Sequence, residues 1–313
     1  TLFQYTQGME TEADRFALET LDRMGVSSKG LEKLLETLSH QEALRSEMQD
    51  PYLRSHPLTP DRIRSVRRHL NRSRYTNAAT PARLKELHSR LRAKLRGFLL
   101  PPERVRQLYA GQEKTAEARY ALAVAYHRDA RTDVALRYID SLIGEKPRDA
   151  YYQELKGQIL LESARIPDAI RAYAAAVRLA PSEPLIRSEY AHALLQLRDR
   201  SRTREAITNL VYATRRDSTY TMSWRLLGVA YGRMQDIGNA SLALAEYYLL
   251  VGNKKEVRLN VQRAERHLRR GSPAWRRIQD IKATYAKTER RGGLFNRRRP
   301  KPDDEDNRER KTR

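Results

Sequence analysis

Two carboxylates four residues apart, Glu10 and Asp14, are the closest approach to a chemical site in this 313-residue chain. Counted as helix at 100° per residue from about Thr6 to Met24, they share a stripe with Ala13, Ala17, Leu21 and Met24, whereas Glu12, Arg15 and Glu19 point elsewhere. A carboxylate on an apolar helix face is costly unless a cation or a hydrogen-bond donor meets it. The same two acids also suit the exposed first turns of a helix, where the macrodipole favours negative charge. The spacing alone leaves both arrangements open.

The letters around them narrow the choice. Glu10-Thr11-Glu12-Ala13-Asp14-Arg15-Phe16-Ala17 resembles the third-ligand helix of the Ste24/HtpX-like zinc metallopeptidases. The resemblance implies that Glu10 is a zinc ligand and that Asp14 supports the metal site from behind the ligands. The other two ligands of such a site, and its general base, come from a His-Glu-x-x-His helix. None of the seven histidines here has that spacing, and Ser39-His40-Gln41-Glu42 is the nearest. The chain carries one ligand of a three-ligand zinc site and, as it stands, is expected to be inactive alone. The loop Arg54-Ser55-His56-Pro57-Leu58-Thr59-Pro60 resembles a segment of the periplasmic branch of that family. There it returns towards the metal, so His56 is expected either as a regulatory fourth ligand or as a loop residue with structural duty only.

Helices must position these groups. After the first, Gly25 is a plausible stop. A second follows over roughly Ser28 to Met48, with Leu31, Leu34, Leu35 and Leu38 on one face, and Asp50-Pro51 ends it. Thr59 as N-cap and Pro60 at the first helical position open a third. Residues 71–82 read as a linker, and a helix from Pro81 to Leu99 carries a stripe of Leu84, Leu87, Leu91, Leu95 and Phe98 before Pro101-Pro102 breaks it.

From about Ala116 the chain repeats. Pro147 and Pro181 are 34 apart, as are Ala135 and Ala169, Ala123 and Gly157, and Tyr126 and Leu160. One unit reads Gly157, Ala169-x-x-x-Tyr173, Ala176, Pro181. The next carries Ala191, Leu194, Ala206, Leu210 and Ala213, with an insertion near Arg198 to Thr203. Another reads Trp224-x-x-Leu227-Gly228-x-x-Tyr231 and Ala240-x-x-x-Leu244. That period and those offsets are the signature of tetratricopeptide (TPR) repeats. Small residues let paired helices approach, and Trp224 and Tyr231 fill the space between repeats. A last helix pair, near Val257–Arg269 and Pro273–Tyr285, caps the stack. TPR stacks bind extended peptides on the face built from the first helix of each repeat. The register places Tyr120, His127, Gln158, Glu162, His192, Gln196, Arg225 and Arg233 there.

A net charge of +22 raises nucleic acid and anionic lipid as partners. Residues 61–106 hold 14 Arg/Lys against 3 Asp/Glu, and residues 287–313 hold 11 against 6. Neither stretch interleaves the aromatics that stack on single-stranded bases, so nucleic acid is not the expected partner. There are no cysteines, which excludes disulfides and Cys-rich zinc modules. No apolar run reaches the length of a membrane span, so no transmembrane segment is expected.

The expected fold is all-α: the remnant of a zincin-type helical catalytic domain, a TPR-type α-solenoid and a disordered basic tail. The expected boundaries are 1–75 for the end of the catalytic domain, 76–114 for a linker and connecting helix, 115–286 for the repeats and 287–313 for the tail. The wording Ala93-Lys94-Leu95-Arg96-Gly97-Phe98-Leu99, Glu154-Leu155-Lys156-Gly157-Gln158 and Gly271-Ser272-Pro273-Ala274-Trp275 extends the family resemblance over about residues 5–285. It implies the C-terminal portion of a periplasmic zinc metalloendopeptidase in outer-membrane protein quality control. Its repeats would bind unfolded or misassembled proteins or the outer-membrane assembly machinery. The competing expectation is a non-catalytic TPR adaptor.

Overall fold

The computed structural model describes residues 2–42 and 60–296, with side chains over 8–39 and 60–285. Among the described residues every regular element is a helix. The chain divides into two compact units between Arg92 and Ala93.

The first unit contains α1 (Leu2–Arg23), α2 (Lys29–Glu42) and α3 (Pro60–Leu70). Leu18, Leu35, Val66 and Leu70 form its core, with Leu31, Leu38 and Ile63 against them. Arg67 of α3 pins α2 by reaching Glu32, at 2.9 Å, and Glu36. Gly25, with φ of 66°, makes the left-handed turn that ends α1, a conformation glycine adopts without strain. The buried stripe of α1 differs from the sequence-based expectation. Ala13 and Met24 are exposed, and Asp14 and Leu18 are the residues that α3 covers. Residues 71–81 are turns and irregular chain.

The next helix, α4 (Ala82–Leu99), contains the division between the units. Its expected leucine stripe is not its buried face: Leu87, Leu91, Leu95 and Leu99 are all exposed. Ala93 and Gly97 are buried instead, because small residues let α4 close on a neighbour. A Cβ at Gly97 would stand 2.8 Å from the Cβ of Val124. Phe98 does pack against the core of the second unit. A short helix that the pattern did not announce, α5 (Pro102–Leu108), starts at Pro102, where the missing N–H costs nothing.

Five helical hairpins follow: α6 (Ala116–Arg128) with α7 (Thr132–Glu145), α8 (Ala150–Glu162) with α9 (Ile166–Leu179), α10 (Pro184–Leu194) with α11 (Arg200–Arg216), α12 (Thr221–Arg233) with α13 (Ile237–Leu250), and α14 (Lys254–His267) with α15 (Pro273–Asn296). Thr115, Asp149, Asp199, Asp236 and Asn253 each cap a helix N-terminus through a side-chain oxygen. Ala130 and Ala164, 34 residues apart, turn the first two hairpins with φ of 56° and 59°. The small residues do what the repeat spacing requires. A Cβ at Gly157 would meet the Tyr173 ring at 2.8 Å, and one at Gly228 would meet Leu244 at 2.8 Å. Trp224 is only half-buried, with its indole N–H donating to the Ser218 carbonyl at 2.9 Å, so it borders the core as well as filling it. Within this unit every substantial helix–helix contact joins helices adjacent in the chain or one apart.

The tail expected to begin at Lys287 is helical through Asn296 as the end of α15. Ala286, Lys287, Glu289, Arg290 and Arg291 are good helix formers that extend a helix already anchored by Ile278 and Ile281. Residues 297–313 lie outside the described residues.

Candidate functional site

The first unit brings Glu10 and Asp14 together as the one-turn spacing requires, and adds a third residue. Arg62 of α3 donates from Nε to Asp14 Oδ2 at 2.7 Å and from Nη2 to Asp14 Oδ1 at 2.8 Å. Its Nη1 lies 2.8 Å from Glu10 Oε2. All three side chains are largely buried, at 11% exposure for Arg62, 14% for Glu10 and 9% for Asp14. The cation demanded by two acids on an apolar face is therefore an arginine from the neighbouring helix. Glu12, Arg15 and Glu19 form a chain of ion pairs on the exposed side of α1.

Sequence reasoning missed Arg62, although a signal was present. Arg62, Val66 and Leu70 lie on one stripe of α3, and Val66 and Leu70 are core residues. A lone cation on one buried stripe and two lone acids on another call for each other.

Zinc would require three protein ligands here. Glu10 is a buried carboxylate of the right kind, but no three His, Cys, Asp or Glu side chains converge among the described residues. Glu10 could fill at most one position of such a site, and the described residues do not complete one. Asp14, which the resemblance places behind the metal ligands, is held by Arg62. His56 lies outside the described residues.

In the second unit, α8, α9 and α10 enclose a cleft of about 650 Å³. Gln158, Glu162, His192 and Gln196 line it, together with Glu154, Tyr173, Glu189 and Tyr220, which the repeat register did not single out. Glu162 is engaged at both oxygens, by His127 Nε2 at 2.7 Å and by Gln158 Nε2 at 2.9 Å. His127 is thus a prop behind the wall. Glu189 lies 3.6 Å from His192 Nδ1 and 3.4 Å from the Tyr220 hydroxyl. Burial holds the Glu154 carboxyl above its usual range; Lys94, 4.0 Å away, opposes that and the charge of Glu189 adds to it. The Tyr173 ring is fully buried against Gly157, and its hydroxyl has no hydrogen-bond partner among the described residues. Burial, reinforced by Glu189, Glu154 and Glu162, drives that phenol far above its ordinary value.

Besides His127, three residues expected on this face are absent from the cleft lining. Tyr120 is a core residue, 2% exposed, its ring 6.2 Å from that of Tyr152. An aromatic early in the first helix of a hairpin is drawn into the contact with the next hairpin. Arg233 turns away to donate to the carbonyls of Leu195 and Leu197, capping the end of α10. Arg225 is exposed and is not part of the cleft wall. The cleft has no Lys or Arg in its lining.

Comparison with known proteins adds sequence kinship to this geometry. Residues 1–70 match the model of peptidase family M48. A "Beta-barrel assembly-enhancing protease" of Yersinia pestis is 26% identical over 239 residues, covering 73% of this chain and 47% of the relative. The protein of that name from Escherichia coli (strain K12) is 26% identical over 261 residues, covering 80% of this chain and 51% of its own length. The chain thus spans about half the length of the curated relatives it matches. Among solved structures, MamA from Desulfovibrio magneticus RS-1 aligns with a TM-score of 0.42 at 15% identity, over 56% of this chain and 95% of that one.

Proposed function

We propose that this chain, which resembles an M48-type peptidase end followed by a TPR region, is the C-terminal portion of a zinc metalloendopeptidase. In the intact protein Glu10 supplies one carboxylate ligand, and the remaining ligands come from a His-Glu-x-x-His helix outside these residues. The repeats present protein substrates or partners to it. The single observation that carries this reading is the buried pair Glu10 and Asp14, one turn apart, inside the 70 residues that match the peptidase family. The relatives' printed name supports a finer proposal, that the substrates are outer-membrane proteins under assembly and that the site of action is the periplasm. No described helix is long and apolar enough to cross a membrane.

A second reading has its own observation. Arg62 neutralises both acids, as a purely structural ion pair would, which favours a non-catalytic TPR adaptor. Zinc content and casein cleavage decide between them when Glu10→Gln, Asp14→Ala and Glu12→Ala are compared in the full-length protein. On the peptidase reading Glu10→Gln loses both, Asp14→Ala loses roughly 10–100-fold in metal affinity or activity, and Glu12→Ala changes neither. If the full-length protein holds no zinc and all three variants behave alike, the adaptor reading stands.

A further inference from the structure

The cleft between α8, α9 and α10 is the least expected electrostatic feature of a chain with 61 Lys and Arg against 39 Asp and Glu. Its wall holds Glu154, Glu162 and Glu189 and no lysine or arginine. Acids alone would be an ordinary solvated surface. Here a second, independent feature accompanies them: Tyr173, a residue of the wall, is fully buried, and its hydroxyl has no hydrogen-bond partner among the described residues. A buried polar group left unpaired costs free energy that a ligand can recover.

The demands of the wall are of one kind. Glu162 is already spent on His127 and Gln158. Glu154 is met by Lys94 only at 4.0 Å, and Glu189 by His192 only at 3.6 Å and by Tyr220 at 3.4 Å. Both carboxylates thus have weak partners, and each raises the cost of ionising the other's neighbour, Tyr173. What answers two under-satisfied carboxylates and a hydroxyl is a group rich in N–H donors and positive charge. The apolar part of the wall, Leu161, Ile166 and Leu185, suits the methylene stem that carries such a group.

We propose that this cleft binds an arginine or lysine side chain of an extended peptide, its cationic head held by Glu154 and Glu189 with the Tyr173 hydroxyl as a further acceptor. The inference rests on the repeats being a peptide-binding array and is independent of the metallopeptidase reading of residues 1–70. It gives the array a preference: basic segments of an unfolded protein over acidic ones.

The test is fluorescence anisotropy on the full chain, with a fluorescein-labelled short Gly/Ser/Ala peptide carrying one central arginine. Versions with lysine, citrulline or glutamate at that position are the comparators. Charge-assisted hydrogen bonds lost to the isosteric citrulline should weaken binding by about tenfold or more, and the glutamate peptide should bind least. Glu189→Gln, at a partly exposed position, should remove most of the arginine preference, and Glu154→Gln with it should abolish it. Tyr173→Phe should weaken the arginine peptide by a smaller factor. Equal binding of the arginine and citrulline peptides overturns the cation preference while leaving the peptide-binding reading in place. If none of the peptides binds, both are overturned. Preference retained in the Glu189→Gln, Glu154→Gln protein, shown folded by circular dichroism, would place the cation elsewhere.

Discussion

Arg62 grips Asp14 through two parallel hydrogen bonds, from Nε at 2.7 Å and from Nη2 at 2.8 Å, and uses its remaining nitrogen on Glu10. A planar guanidinium can do this and an ammonium cannot, because only the fork presents several fixed donors at once. The joint between α1 and α3 is therefore electrostatic at its centre and apolar at its margin, where Leu18, Val66 and Leu70 meet.

Removing the arginine alone should be severe. Arg62→Ala leaves two carboxylates buried without their cation, a change that typically costs about 3–5 kcal/mol. Hydrogen exchange should show the loss confined to the amides of α1 to α3, with the repeats unaffected. Arg62→Lys should recover only part, since one point charge cannot serve both acids. Full protection in Arg62→Ala would show that the apolar contacts alone hold the joint.

Gly157 offers a steric test of the repeat. Alanine is the better helix former by about 1 kcal/mol, but a Cβ there would lie 2.8 Å from the Tyr173 ring. Overpacking should win, and Gly157→Ala should lower stability by about 1–3 kcal/mol in a urea titration. Gly144→Ala, where nothing lies within 4 Å, is the control and should be neutral or stabilising. A stabilised Gly157→Ala would mean that the ring can step aside.

Burial of Glu154 gives the chain a pH dependence whose sign follows from the raised carboxyl. Its folded-state carboxyl titrates above the ordinary value of 4.5, because burial disfavours the charge. The folded chain therefore keeps that proton longer than the unfolded chain does. Its contribution to stability is fully present below pH 4.5 and is lost as the pH rises from there through the folded value. The groups that face it are Lys94 on α4, Tyr173 on α9 and Glu189 on α10. Urea midpoints across that range should show Glu154→Gln gaining on the wild-type chain as pH increases. Parallel curves would mean that the carboxyl is solvated.

Trp224 should matter less than a core tryptophan. Its ring is only partly buried and its indole N–H is spent on the Ser218 carbonyl, at 2.9 Å. Trp224→Phe keeps most of the packing and should cost about 1 kcal/mol, the net worth of one hydrogen bond. The urea midpoint is the measurement; a loss above about 3 kcal/mol would make the ring a keystone.

Much of this was legible in the residues, and the reasons differ by element. The hairpins were readable because Gly157, Ala169, Tyr173 and Ala176 recur at fixed offsets, and close approach of helices admits few alternatives there. The face of α4 was misread because leucines outbid Ala93 and Gly97 in any count of hydrophobicity, although small residues decide how near a helix can come. The acidic pair is visible in the residues, but its partner is masked by number, Arg62 being one cation among 61 Lys and Arg. The register finds four residues of the cleft, Gln158, Glu162, His192 and Gln196, but not its charge. That charge depends on which cations are consumed locally, as Arg233 is by the end of α10, and no spacing rule encodes that.

The chain-local contacts of the second unit have a consequence for how it suffers damage. Among the described residues each hairpin rests chiefly on its immediate neighbours. A nick in one turn, or thermal opening of the hairpin formed by α14 and α15, removes one slab of the stack without pulling a thread through the rest. The cleft, bounded by α8, α9 and α10 in the interior of the series, is shielded by distance along the chain: injury must work inwards, slab by slab, before it is felt there.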